Sequence, residues 1–211
     1  RLDNTLVVFY SDHGEMAGEH GMWWKHNFYE GASHIPLIVS FPGRLPQGKR
    51  VTEPVSLVDV LPSLCDWTGA PPPPKLAGRS LDPLIKGEEW SEERAVFSEL
   101  YRRFPGESAV VARMVRQGVW KYNHYHGQAS EMFNLEEDPR EFHNVADDPA
   151  YRDVRSKLER LALEGWDPEE ISPKLRDFKQ RVDYLGQWTR AVNPPDPDQW
   201  EGMRPPFPDE W

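Results

Sequence analysis

Asp12, His13 and Lys25 are the residues near the start of the chain whose types and spacing could do chemistry. Asp offers a hard oxygen and His a nitrogen, so the pair can ligate a divalent cation. Successive residues of an ideal strand face opposite ways. Both can therefore reach one ion only where a strand has just ended, and Gly14 permits that break. Lys25 adds a compact point charge suited to holding an oxyanion beside a metal. Metal and ammonium together can stabilise charge on a sulfuryl or phosphoryl group in transfer. Two protein ligands do not complete a metal site, so more oxygens must come from elsewhere. The competing reading of the same residues is a capped strand end followed by a solvated glycine loop, because Asp-His-Gly is short and common.

The elements around these residues explain how they would be placed. Residues 5–10 form a β-branched and aromatic run, which predicts a strand buried on both faces of a parallel sheet. It stops at once on Ser11-Asp12-His13-Gly14, and in open α/β sheets ligands gather at the carboxyl edge of strands. Gly14, Gly18 and Gly21 let the following loop wrap closely round a small charged group. Phe28 and Tyr29 can pack beneath the loop. Residues 35–41 predict a second buried strand, closed by Pro42-Gly43.

A resemblance gives these residues a context. Asp3-Asn4-Thr5 leads into Val8-Phe9-Tyr10-Ser11-Asp12-His13-Gly14. Gly18-Glu19-His20-Gly21, Trp24-Lys25, Phe28-Tyr29-Glu30 and Ile35-Pro36-Leu37-Ile38-Val39 follow. This closely resembles the second conserved block of the sulfatases, the formylglycine-dependent family of the alkaline phosphatase superfamily. The resemblance implies that Asp12 and His13 ligate the catalytic divalent ion, calcium first and manganese or magnesium as alternatives. It also implies that Lys25 grips the sulfate of a small anionic sulfate ester. Asp-His-Gly-Glu with Trp-Trp-Lys is most similar to the choline-sulfatase and phosphonate-monoesterase branch.

Further on, residues 132–141 with Asn144-Val145-Ala146 resemble the family's C-terminal block, so the resemblance runs from residue 3 to about 165. The implied fold class is α/β: the C-terminal part of an alkaline-phosphatase-like α/β/α sandwich, then a small antiparallel sheet with a packed helix. The family's nucleophile is a Cys in Cys-x-Pro/Ala-x-Arg, oxidised to formylglycine, and two more metal aspartates lie near its N-terminus. Neither motif occurs here, since Cys65 is followed by Asp66-Trp67-Thr68. The expectation is a sulfate-ester hydrolase whose nucleophile lies in an N-terminal part outside these residues, so that the fragment alone is inactive. A phosphonate or phosphate ester hydrolase of the same superfamily and a non-catalytic metal- and anion-binding remnant are the alternatives.

Composition narrows the class. The chain has 211 residues, a net charge of −10 and 21 prolines. Such acidity argues against a nucleic-acid reader, which needs a basic surface. A single cysteine excludes an intramolecular disulfide, and no leader or apolar run of about 18 residues is present. These features favour a reducing, cytoplasmic setting and no membrane span.

Three divisions are expected: a core part carrying the metal and sulfate loop (1–90), an antiparallel-sheet part (91–170) and a Pro/Trp-rich tail (171–211). Residues 55–68 predict a helix with Leu57, Val58, Leu61, Leu64 and Cys65 on one stripe. Asp59 would cap it, leaving Pro62 in the first turn where its missing N–H is harmless, and Cys65 is a buried small hydrophobe. The four prolines at 71–74 read as a stiff connector. Strands are expected over 95–100, 110–115, 119–125 and 131–135, with a hairpin about Gln117-Gly118. A helix over 151–165 is capped by Asp148 with Pro149 in first position, and another amphipathic helix fits around 178–188.

Among the remaining polar residues, His20, His26, Tyr101 and Arg102 are candidates to contact substrate, the last two because they follow a strand end. His34, His124 and His126 read more readily as structural. The aromatic tail 193–211 is expected to lie across its own domain or a neighbouring subunit, as part of a homo-oligomer.

Overall fold

Strand β1 (Val7–Tyr10) runs antiparallel to β2 (Leu37–Ser40), with Phe9 opposite Ile38. This computed structural model describes residues 4–88, 94–102 and 110–192. The pairing corrects the expected parallel arrangement of these two strands. Parallel neighbours need a long crossover, usually helical. Between β1 and β2 lie only a 3-10 turn at Glu19–Gly21 and the single-turn helix α1 (Glu30–Ser33), no crossover helix, and the chain doubles back.

The expected burial on both faces is corrected as well. Val8, Leu37 and Val39 pack toward a cluster of Phe41, Leu45, Trp67, Leu81 and Leu84, whereas Val7, Phe9 and Ile38 on the other face are exposed. The cluster is closed by α2 (Val60–Thr68) and α3 (Asp82–Lys86). Pro62 does fall in the first turn of α2, and Cys65 is buried and free.

Asp59 does a different job from the cap expected of it. Its carboxylate accepts from the Ser56 and Arg79 amides at 2.8 and 2.9 Å, and both its oxygens lie 2.6 Å from the Arg94 guanidinium. The reciprocal capping box with Ser56 makes Ser56 the cap, one turn earlier. Asp59 is fully buried, and a buried carboxylate requires such partners.

The second sheet is antiparallel, in the order β3 (Ala95–Arg102), β4 (Val110–Gln117), β5 (Trp120–Tyr125), β6 (Glu131–Asn134). Gln117 pairs with Trp120, so the hairpin turn is Gly118-Val119, and Gly118 takes a φ of +55° that favours glycine. One face carries Val115, Tyr122 and Met132. It packs on Leu158 and Ala162 of α4 (Arg152–Leu163). Asp148 caps the 3-10 turn leading into α4, accepting from the Ala150 amide at 2.8 Å.

The other face of the sheet carries Arg116, Lys121, Asn123, Tyr125 and Glu131 among Ala112, Met114 and Phe133. Phe28 closes on Ala112 and Met114, bringing the first part of the molecule over this face. A long helix α5 (Pro168–Val192) follows, with Phe178, Val182, Leu185 and Trp188 exposed. No helix among the described residues is long and apolar enough to cross a membrane. The tail 193–211 lies outside the described residues.

Candidate functional site

The site lies where β1 ends. Asp12 and His13 follow the strand directly, and their side chains converge, with His13 Nε2 3.5 Å from Asp12 Oδ2. Nδ1 of His13 lies 2.7 Å from the Gly14 carbonyl. That assigns the proton to Nδ1 and leaves the Nε2 lone pair to accept, beside Asp12. Both side chains remain accessible.

The loop after Gly14 is stapled so that it returns Lys25 to the strand end. The Met16 amide donates to the Trp24 carbonyl at 3.0 Å and the Gly18 amide to Met22 at 2.9 Å. Glu15 accepts from the Trp24 amide at 2.5 Å. Met16, wholly buried, plugs the loop from beneath. The Lys25 ammonium ends in hydrogen-bond contact with His13 Nε2.

His26 and Arg102 join this group. Burial first, then the positive fields of Arg102, Lys25 and His13, lower the proton affinity of His26. Arg102, at the end of β3, therefore shares one field with the loop cations. The other two candidates are engaged in the fold. His20 stacks on Tyr29 with ring centroids 4.1 Å apart and places Nε2 2.9 Å from the Arg140 carbonyl. The Tyr101 hydroxyl donates to Glu99 at 2.6 Å and accepts from the Trp166 indole at 2.8 Å. Three further histidines have structural surroundings: His34 pairs with Glu30 at 3.1 Å, His124 meets the edge of Trp166, and His126 pairs with Glu169 at 3.1 Å.

Two donors 3.5 Å apart, a carboxylate oxygen and an imidazole lone pair, suit adjacent ligands of one divalent ion. They form part of a shell. Among the described residues no group of three or more His, Cys, Asp or Glu side chains is gathered to hold a metal.

Sequence reasoning did not single out the residues beneath the site. Lys121 of β5, 1% exposed, lies 2.9 Å from Glu30 and 2.8 Å from Glu141. The Glu141 carboxylate in turn accepts from the Glu30 amide at 2.6 Å. Burial raises the Glu30 carboxyl, but Lys121 and Arg116 more than reverse it, so its proton affinity is lowered. For Glu141 burial wins and the net shift is upward. Beside them Glu131 gathers Tyr29, Tyr125 and Asn123 at 3.0–3.1 Å. Burial and the Glu131 charge push the Tyr29 phenol up to about 12. The available sequence signals are Tyr29 and Glu30, in the Phe28-Tyr29-Glu30 stretch, and Glu141, in the Asp138-Pro139-Arg140-Glu141 block that carries the C-terminal resemblance.

Known proteins resemble this chain in sequence and fold. Residues 18–165 match the family described as N-sulphoglucosamine sulphohydrolase, C-terminal. A choline-sulfatase of Rhizobium meliloti is 36% identical over 193 residues, covering 85% of this chain and 35% of that protein. The solved phosphonate monoester hydrolase of Agrobacterium radiobacter superposes with a TM-score of 0.66 at 33% identity, covering 77% of this chain and 35% of that one. A protein solved in complex with its substrate D-glucosamine-2-N,6-O-disulfate gives a TM-score of 0.70 at 28% identity, over 77% of this chain and 34% of that one. The chain thus spans about a third of the length of the proteins it matches. With a family match over most of its length and these likenesses in sequence and fold, the chain belongs to the sulfatases, in the region that family describes as C-terminal.

Proposed function

We propose that the protein acts in the hydrolysis of sulfate esters, with Asp12 and His13 as two ligands of a divalent ion and Lys25 as the sulfate-gripping catalytic residue. The observation that carries the reading is the convergence of His13 Nε2 with Asp12 at 3.5 Å and with the Lys25 ammonium at one strand edge. The chemistry supplied by a bound ion, calcium first and manganese or magnesium as alternatives, is Lewis-acid stabilisation of charge on the sulfuryl oxygens.

This chain's residues do the rest. Gly14 holds the His13 tautomer through its carbonyl. His13 would offer its Nε2 lone pair to the ion, and Lys25, now in contact with that nitrogen, would then be free to hold a sulfate oxygen with its ammonium. Arg102 extends the positive field and helps draw in a small anion despite the chain's net charge, while His26, its proton affinity lowered, stays neutral beside it. His20 and Tyr101 shape the surroundings through Tyr29, Glu99 and Trp166 and carry no charge transfer. The nucleophile, formylglycine in this family, belongs to no described residue, and no step is assigned to it.

In the full-length protein, Lys25→Ala should lower kcat/KM on 4-nitrophenyl sulfate about 10²–10³-fold, the usual effect of removing one oxyanion donor. Near-normal turnover would overturn the assignment. The second reading, phosphonate monoester hydrolysis, is favoured by the likeness to the Agrobacterium radiobacter enzyme. A kcat/KM on a phenylphosphonate monoester exceeding that on the sulfate would make it the first.

A further inference from the structure

We propose that the buried pair Lys121 and Glu141 positions the Asp12–His13 edge, so that the second sheet sets the geometry of the metal-binding strand end from beneath. The inference rests on the metal reading given above.

The link between them is α1. One turn of helix has almost no stability of its own, because nucleation fixes several residues for one hydrogen bond. Here both ends of the turn are held, by Lys121 of the second sheet and by Glu141 in the segment that follows β6. Its first amide, that of Glu30, donates to Glu141 Oε2 at 2.6 Å. Its first side chain pairs with Lys121 Nζ at 2.9 Å, and Nζ reaches the hydroxyl of its last residue, Ser33, at 3.3 Å. The side chains of Lys121 and Glu141 are each only 1% exposed, so neither can turn to water if the turn drifts. Glu141 reaches this place from a backbone at φ +58°, a region a residue with a Cβ rarely adopts.

The strand end leans on the other side of the same turn. The Gly14 amide donates to the Ala32 carbonyl at 2.8 Å. A Cβ on residue 14 would stand 2.1 Å from the Gly31 carbonyl oxygen, so the two backbones are in direct contact. His13 is the next residue. A shift of α1 is therefore passed to the His13 imidazole without slack. Lys121 and Glu141 are positioning residues, since they reach neither the Asp12 nor the His13 side chain.

The test is the calcium and manganese(II) affinity of the full-length protein by calorimetry, alongside kcat and KM on 4-nitrophenyl sulfate well below the melting temperature. The variants are Lys121→Met, Lys121→Arg, Glu141→Gln, Asp12→Ala and, as control, Leu158→Ala on the opposite face. Lys121→Met should weaken metal binding about 10–100-fold, the usual effect of removing a group that orients a ligand. It should lower kcat with KM changed little, and Lys121→Arg should recover most of the loss. Glu141→Gln keeps the shape and the cap on the Glu30 amide, so it carries the same test, with a smaller loss, if Lys121→Met does not fold. Leu158→Ala should destabilise the protein and leave metal affinity unchanged.

If the wild type binds metal, Asp12→Ala does not, and the folded Lys121 or Glu141 variants bind like the wild type, the inference is overturned while the metal reading stands. Equal losses in Leu158→Ala would overturn it too, by reducing the effect to stability. If the wild type binds neither ion, the metal reading itself is overturned, and this inference with it.

Discussion

The two faces of the second sheet do opposite things with the same four strands. The α4 face is ordinary core, in which Val115, Tyr122 and Met132 meet Leu158 and Ala162 by apolar packing. The loop-side face is a buried polar mosaic in which Lys121, Glu30, Glu141 and Arg116 balance one another and Glu131 binds two phenols. Apolar packing tolerates small shifts, because dispersion and burial are summed over many weak contacts. A buried ion pair does not, because a displaced charge loses partners it cannot replace. The Asp12–His13 strand end is built over the unforgiving face, which is the face suited to fixing a geometry.

The largest effect that should separate the faces is on stability. Lys121→Met leaves Glu141 without its cation and Glu30 with only the more distant Arg116, and loss of one buried partner costs about 3–5 kcal/mol. Urea unfolding checks this, and a loss under about 1 kcal/mol would mean that water reaches the pair. Leu158→Ala should cost a comparable or smaller amount, about 2–5 kcal/mol, by opening a cavity on the apolar face. The two variants should then differ in metal affinity although they resemble each other in stability.

A smaller effect sharpens the description of the polar face. Replacing Glu131 with Gln removes the negative charge beside Tyr29 and leaves its burial. The Tyr29 phenol should titrate below its value of about 12 and stay above the ordinary value of 10.0. Ultraviolet titration of the tyrosines against a Tyr29→Phe reference reads this directly. No downward movement would show that burial alone sets the shift.

The smallest effect concerns pH. The folded-state pKa of His26 lies below its ordinary 6.5, with burial the leading cause and Arg102 the next. The unfolded chain therefore binds more protons there than the folded one at mildly acid pH. The contribution of neutral His26 is complete above about 6.5 and is lost as pH falls through the folded value. Wild-type stability should fall more steeply between pH 7 and pH 5 than that of His26→Asn. Parallel profiles would contradict a lowered proton affinity at His26.

Much of this architecture is legible in the sequence, for definite reasons. The β4–β5 hairpin, the Asp148 cap and the tolerance of α2 for Pro62 are each set by local chemistry within a few residues. The Asp12, His13 and Lys25 constellation could be read because strand end, glycine loop and lysine follow one another in the chain. What could not be read is long-range. The apolar run of β1 suited a doubly buried parallel strand equally well, and the antiparallel pairing with β2 is set by contacts that the local sequence does not show. Asp59 looked like a local cap because nothing nearby in the sequence announces Arg94. Lys121 stands between two aromatics with no periodic signal, and its partners are 91 residues earlier and 20 later. Such a lysine reads as a solvated strand residue until the fold closes over it.

The measurement that tests the account most directly is amide hydrogen exchange at Gly14 and Glu30 in the wild type, Lys121→Met and Leu158→Ala. The Gly14 amide is held by Ala32 and the Glu30 amide by Glu141, so the two report the strand-end contact and the clamp beneath it. The account predicts that Lys121→Met sharply speeds exchange at both while α4 stays protected, and that Leu158→Ala does the reverse. Equal loss of protection across the molecule in both variants, or full protection of Gly14 in Lys121→Met, would contradict it.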